Sequence, residues 1–394
     1  MNDWSKVRLS DVCFITSSKR IFANEYQQFG VPFYRGKEII EKHNGNSVST
    51  ELYISKERYE EIKTKYDVPK RGDILLSSVG TLGVAWLVDE DEFYFKDGNL
   101  TWLRSNDKIS PEFLYLWLNS AEAQNQIDMK CIGSTQKALT IDTLKNFEVS
   151  LPPKGIQNRI CSAIYPIMEK IANNRMINQN LLQQAQLVFA NEFLSFDSLP
   201  EGWEESSLLG IADYLNGLAM QKYRPKDEEI GLPVLKIKEL RQGVCDSSSE
   251  LCSPNIKANY IIHDGDVVFS WSGSLLVDLW CGGTCGLNQH LFKVTSNKYD
   301  KWFYYSWTNH HLQKFIAIAA DMATTMGHIK REELEKAKVI IPPRSEYERI
   351  GSLLAPMFDL VISNRIENRR LASLRDELLP KLMSGELDVS ELEI

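Results

Sequence analysis

The sequence predicts an α+β protein: two pseudo-two-fold-related mixed α/β domains separated by a pair of long antiparallel coiled-coil helices. Three observations predict it. The chain, 394 residues long, repeats most of itself about 190 residues on. Each copy opens with short β-branched or aromatic runs bounded by Gly, Pro or Asp. Each copy then closes on a long polar-apolar helical pattern.

The repeat is unbroken in order. Trp4, Leu9 and Val12 return as Trp203, Leu208 and Ile211, and Gly30-Val31-Pro32 with Lys37-Glu38 returns as Gly231-Leu232-Pro233 with Lys238-Glu239. Gly72-Asp73, Ser77 and Gly80 reappear as Gly265-Asp266, Ser270 and Gly273, and Phe113, Tyr115 and Trp117 as Phe303, Tyr305 and Trp307. Pro152-Pro153 matches Pro342-Pro343. Arg159-Ile160, Pro166, Asn174-Arg175, Asn178 and Leu181 match Arg349-Ile350, Pro356, Asn364-Arg365, Asn368 and Leu371. A unit of this size is a domain plus a helix, far longer than the roughly 20 to 50 residues of a solenoid or propeller repeat.

Within the first copy, Val31–Tyr34, Asp73–Leu76, Val84–Leu87 and Phe147–Leu151 read as strands. Ser110-Pro111 starts a helix, with Ser as N-cap and Pro at the first helical position. Pro152-Pro153 removes two backbone donors and ends the last strand. The resulting organisation is a first domain at 1–153, a helical spacer at 154–197, a second domain at 198–343, and a second helical region with its tail at 344–394.

After Pro153 the period changes. Ile156, Ile160 and Ile164 make a short amphipathic helix, and Pro166 is expected to sit at the first turn of a separate long one, as is Pro356 in the second copy. Ile167, Ile171, Asn174, Asn178 and Leu181 then fall on an a/d seam, and Met357, Val361, Asn364, Asn368 and Leu371 run in the same phase. If the helices pair antiparallel, the asparagines meet near the middle and fix register; otherwise they face solvent or another subunit.

Composition sets limits. With 43% hydrophobic and 25% charged residues, the chain reads as soluble and globular. No stretch approaches the roughly 20 apolar residues of a membrane span, and Met1-Asn2-Asp3-Trp4 lacks the pattern of a signal peptide, so the expectation is a cytoplasmic protein without a membrane partner. Seven scattered cysteines argue against a disulfide framework. Cys245, Cys252, Cys281 and Cys285 lack the paired spacing of zinc ribbons, and the first copy has no matching thiols, so no metal site is expected. The net charge of -8 neither excludes nor shows a basic face.

In this order and duplicated, these motifs resemble the DNA specificity subunit of type I restriction-modification systems. The resemblance rests on the Trp-x4-Leu-x2-Val opening, the Gly-Asp-Ile/Val motif ending in Ser-x2-Gly, the Pro-Pro close and the helix start Gln157-x-Arg159-Ile160. The string Leu374 to Leu387 is the most specific of all. Gln157 becomes Tyr347, and Gly80 to Gly83 becomes Gly273-Ser274-Leu275-Leu276, which puts single loop roles in doubt but not the family. The resemblance implies two target recognition domains that each read half of an asymmetric bipartite double-stranded DNA site. It implies helices that dock two methyltransferase (modification) subunits, with restriction subunits joining through the complex. S-adenosylmethionine, ATP and Mg would all lie on partners, leaving no cofactor on this chain.

The chain itself is expected to be no enzyme. It lacks the Asn/Asp-Pro-Pro-Tyr/Phe and Phe-x-Gly-x-Gly motifs of amino-methyltransferases, a phosphate loop and an HExxH pair. Asp89 to Glu92 with Lys96 reads as a solvated acidic turn. Candidate DNA contacts in the first copy are Lys19, Arg20, Arg35, Lys37, Ser77, Ser78, Thr81, Ser134, Thr135, Gln136 and Lys137. In the second they are Lys222, Arg224, Lys236, Lys238, Ser270, Trp271, Ser272, His290, Thr324, Thr325 and His328. Such side chains can hold phosphates or meet base edges, although any one of them can equally be an ordinary turn residue.

About 30 residues of helix from Pro166 to Phe196 would hold the domains roughly 45 Å apart, equivalent to roughly 13 base pairs. Lengthening both helices should then widen the gap without altering the half-sites. Two rival readings are a duplicated coiled-coil scaffold or adaptor that never touches DNA, and a standalone DNA enzyme. Salt-sensitive DNA binding separates the first, and methyl transfer by the lone chain would support the second.

Overall fold

Both copies build the same antiparallel sheet around the Gly-Asp motif. In the computed structural model, which describes residues 4–45, 48, 50–89, 92–131, 137–226, 228–321 and 328–389, Gly72 has φ +88° and Gly265 φ +85°, a left-handed turn that favours glycine. The aspartate that follows closes the turn: Lys70 N donates to Asp73 Oδ2 at 2.9 Å and His263 N to Asp266 Oδ2 at 2.8 Å. The chain then enters a strand buried at every position, Ile74–Ser77 or Val267–Ser270.

That strand is central to a four-stranded sheet, ordered Cys13–Thr16, Leu100–Ser105, Ile74–Ser77, Ala85–Leu87 in the first copy. The second copy repeats it as Asp213–Asn216, Leu291–Thr295, Val267–Ser270, Leu276–Leu279. All neighbours are antiparallel. A smaller sheet holds a parallel pair in each copy, Val31–Tyr34 with Tyr94–Phe95 and Leu232–Leu235 with Cys285–Leu287. Its fourth strand differs: Tyr26–Gln27 lies beside Tyr53–Ile54 in the first copy, whereas Ile261–Ile262 lies beside Cys285–Leu287 in the second. The opening strand of each copy, Ser5–Arg8 or Glu204–Ser207, pairs antiparallel with the closing strand, Glu148–Leu151 or Lys338–Ile341, just before the double proline.

The repeated Lys-Glu dipeptide has a structural cause. Glu38 and Glu239 are buried, and each accepts the backbone N–H three residues earlier, from Arg35 at 2.8 Å and Lys236 at 3.2 Å, closing a helix start. Burial alone would raise the Glu38 carboxyl, but the Arg35 side chain and backbone outweigh it and hold the group below its usual range.

The exchange of Gln157 for Tyr347 preserves a bond. Gln157, fully buried, accepts from Ser110 N at 2.9 Å and donates to Lys108 O and Pro152 O, each at 2.9 Å. The Tyr347 hydroxyl accepts from Asp300 N at 2.7 Å and donates to the Asp300 carboxylate at 3.0 Å. Ser110 and Asp300 are matching positions before matching helices, Pro111–Leu118 and Lys301–Asp321. Different side chains thus satisfy the same backbone donor.

The chain divides into two compact units, Met1–Ala172 with Leu371–Ile394, and Asn173–Arg370. In the first, Leu379, Leu382, Met383 and Val389 join the core formed by Leu9, Phe113, Trp117, Phe147, Ile160 and Ile164. In the second, Ala185, Phe189 and Phe193 join Trp302, Phe303, Trp307, Ile350, Leu354 and Phe358. Phe189 meets Trp307 edge-on at 5.0 Å. Each unit is therefore a domain packed on a stretch of both long helices.

The separate short helix expected before each long one does not exist. Lys154–Phe193 is one helix of 40 residues with Pro166 inside it, and Arg344–Met383 is another of 40 that contains Pro356. An interior proline costs about 3 kcal/mol. Packing on both sides offsets it: Ile160 and Ile164 before Pro166 and Ile171 after it are buried, as are Ile350 and Leu354 before Pro356 and Phe358 and Val361 after it.

Candidate nucleic-acid interface

Three segments converge where the buried Gly-Asp strand ends. In the first copy Ser78 N donates to Asn99 O at 2.8 Å and Leu139 N to Ser78 O at 2.9 Å; in the second Trp271 N donates to His290 O at 3.4 Å and Ile329 N to Trp271 O at 3.1 Å. Isolated bridges Val79–Ala138 and Ser272–His328 complete the two junctions. The backbone scheme is the same and the side chains differ, Ser78 standing for Trp271 and Asn99 for His290.

The second junction carries a cluster of rings and amides. Trp271 lies 5.8 Å from Phe292, 6.2 Å from His290 and 6.2 Å from His328, centre to centre. Its indole N–H donates to Asn216 Oδ1 at 3.0 Å. Ser272 Oγ and His290 Nδ1 are hydrogen-bonded at 3.0 Å, and Gln289 Nε2 lies 3.3 Å from His290 Nε2. Asn216 and Gln289 escaped sequence reasoning, although the polar run Asn288-Gln289-His290 between two strands was a usable signal. Indole faces, imidazoles and amides can stack on bases and meet their edges.

Four candidates have hydroxyls bonded within the chain. Ser77, Ser78, Ser270 and Ser272 are buried. Ser77 Oγ accepts from Val84 N at 2.9 Å, Ser78 Oγ pairs with Thr101 Oγ1 at 2.6 Å, and Ser270 Oγ shares its one hydrogen between Ser272 O and Ser274 O at 3.2 and 3.0 Å. Ser77 and Ser270 bond within their own turns, Ser78 bonds across to the neighbouring strand and Ser272 bonds to His290, since buried hydroxyls must be satisfied inside.

Many candidate cations are already paired. Arg20 meets Asp97 at 3.3 Å, Arg35 meets Glu38 at 2.8 Å and Lys37 meets Glu41 at 3.7 Å; Arg224 meets Glu250 at 3.1 Å, Lys236 meets Glu250, and Lys238 meets Asp246 at 3.6 Å. Lys19 lies over the Tyr66 ring at 4.5 Å. Thr81, Lys137, Lys222 and His328 are exposed. Ser134, Thr135, Gln136, Thr324 and Thr325 lie outside the described residues. Apart from Arg35, whose partner Glu38 is buried, such surface pairs are weak and easily exchanged for phosphate.

The seam residues assemble as an antiparallel polar pair. Asn364 Nδ2 donates to Asn178 Oδ1 at 2.9 Å, Asn178 Nδ2 to Val361 O at 3.4 Å, and Asn174 Nδ2 to Asn368 Oδ1 at 2.9 Å and Glu367 Oε2 at 2.7 Å. Ile171 and Val361 are buried, while Ile167, Leu181, Met357 and Leu371 are half-buried.

Among the described residues, no group of three or more His, Cys, Asp or Glu side chains is placed to hold a metal, and no helix is long and apolar enough to cross a membrane. Burial pushes the Cys281 thiol up to about 11.

The model of the family described as type I restriction modification DNA specificity domain matches residues 1–183 and again 200–374. The chain belongs to that family. It is 24% identical to the type I restriction enzyme MjaIX specificity subunit of Methanocaldococcus jannaschii, over 99% of this chain and 95% of the relative. It is 22% identical to the HindI specificity subunit of Haemophilus influenzae, over 98% and 100%. Its fold is similar to the crystal structure of a type I restriction-modification S subunit from M. genitalium, at TM-score 0.61 and 14% identity over 97% of each chain. As a specificity subunit the chain is non-catalytic, with duplicated recognition domains, and catalysis lies on other subunits.

Proposed function

We propose that each recognition domain reads one half of a bipartite, asymmetric double-stranded DNA site. The two long helices set the gap and dock two methyltransferase subunits, and restriction subunits join through that complex in the cytoplasm. S-adenosylmethionine, ATP and Mg belong to those partners. The observation that carries the reading is the pair of junctions, which share their backbone bonds and exchange their side chains. A common frame with an amide, Asn99, in one copy and an indole and imidazoles in the other suits two different half-sites.

The exposed candidates Lys19, Arg20, Thr81, Lys137, Lys222, Arg224 and His328 would flank those junctions as phosphate or base contacts. Single-molecule methylome sequencing of a host expressing the chain with its methyltransferase tests the reading. The wild type should yield one two-part motif, and Trp271→Ala with His290→Ala should alter or abolish only one half of it. A change in both halves, or an unsplit motif, would contradict the proposal.

A further inference from the structure

Between Asn364 and Arg369 the second long helix serves two neighbours at once. Asn364 and Asn368 bond to the first long helix, whereas Arg365 and Arg369, each one residue on, bond to the second recognition domain. Arg365 Nη1 donates to Asp278 Oδ1 and to Leu279 O, both at 2.8 Å. Arg369 grips the Asp264 carboxylate with two parallel bonds of 2.7 and 2.8 Å and gives a third to Cys281 O at 2.6 Å. Asp264 is itself fixed by Gly283 N at 2.8 Å. The four charged side chains are only 25% to 31% exposed. The paired bonds from Arg369 hold the Asp264 carboxyl below its usual range. Planar two-point pairing of this kind fixes orientation as well as distance.

The position of the clamp gives it leverage. Asp264 precedes the Gly265-Asp266 turn, at one end of the strand Val267–Ser270, and Trp271 with its ring cluster lies at the other end. Four strand residues span roughly 13 Å, so a rotation of about 5° at the clamp moves the junction by about 1 Å. At the matching positions of the first copy Arg175 is kept for Arg365, whereas Gln179 stands for Arg369, Arg71 for Asp264 and Trp86 for Asp278. The two-point pairing of Arg369 with Asp264 is therefore not repeated at those positions.

We propose that Arg365 and Arg369 are positioning residues that fix the second recognition domain on the helical spacer and so set the gap at which its half-site is accepted. The inference rests on the reading that the helices measure that gap. Its test uses the complete complex of this chain with its methyltransferase, and measures methyl transfer to duplexes whose gap is of cognate length or one base pair shorter or longer. Arg365→Ala with Arg369→Ala should leave the half-site bases unchanged and reduce discrimination against the wrong gaps by about tenfold, since a displacement near 1 Å is enough to change such rates about 10²-fold. Asp264→Arg combined with Arg369→Asp restores opposite charges in exchanged places and should recover discrimination that each single change loses. Arg369→Lys keeps the charge without the two parallel bonds and should fall between. Wild-type gap selectivity retained in the double alanine variant overturns this inference alone. So does equal loss of methylation at every gap, or a charge exchange that recovers nothing. A wild type indifferent to gap length removes the spacing reading and this inference with it.

Discussion

Substituting leucine for Asn178 and Asn364, singly and together, separates a specific polar pair from two unrelated buried amides. Both side chains are buried, and Asn364 Nδ2 to Asn178 Oδ1 measures 2.9 Å. Asn364→Leu strands the Asn178 oxygen, and Asn178→Leu strands the Asn364 amide; a buried group left without its partner costs about 1 to 3 kcal/mol. Apolar burial by each leucine offsets part of that in both single variants. Each single variant carries one stranding cost and the double variant carries neither, so the double should be less destabilised than the sum of the singles by about 2 to 6 kcal/mol. For a unit of about 200 residues this corresponds to roughly 4 to 24 °C in Tm, measurable by calorimetry or by circular dichroism at 222 nm. The double variant should keep or gain stability and lose the register signal that a seam asparagine provides. Additive shifts, agreeing within about 0.5 kcal/mol, would refute the pairing argument.

Two further outcomes are expected. Gln157→Leu leaves Ser110 N, Lys108 O and Pro152 O without the bonds the buried amide supplies, and should destabilise the first unit by about 3 kcal/mol, read as a drop in its denaturant midpoint. Burial lowers the proton affinity of His311, the bond from its ring to Lys338 O at 2.8 Å opposing this only in part. A histidine whose folded pKa is depressed binds its proton more readily unfolded, so the stability it contributes is complete above about pH 6.5 and is lost as the pH falls toward the folded value. The second unit should therefore weaken on acidification through that window, by at most about 1.4 kcal/mol per pH unit from this one histidine. His311→Phe should flatten the slope in pH-dependent thermal melts, and an unchanged slope would exclude His311 as its source.

Much of the frame was legible because it depends on patterns that repeat. Gly72-Asp73 and Gly265-Asp266 signal a left-handed turn and its carboxylate closure, and the phase of Asn174, Asn178, Asn364 and Asn368 places them on facing seams. Local rules failed where a distant contact decides. Proline at 166 and 356 signals a helix start, yet buried neighbours on both sides carry the helix through. Ser77 and Ser270 look like loop hydroxyls, but they end an interior strand and their side chains bond inward. The roles of Asp264 and Asp278 are not legible in the sequence, because nothing within a few residues of them announces Arg369 and Arg365, which lie 105 and 87 positions further along the chain. Gln157 and Tyr347 read as a departure between copies until their common backbone partner was visible.

The central claim is that the helices set the gap and the domains set the bases. One measurement addresses both halves of it. Inserting one heptad into each long helix at facing positions keeps the seam in phase and adds roughly 10 Å, or about three base pairs. Methylome sequencing of a host expressing that variant with its methyltransferase should return the same two half-sites with a gap about three base pairs longer. An unchanged gap, or altered bases in either half-site, would contradict the account.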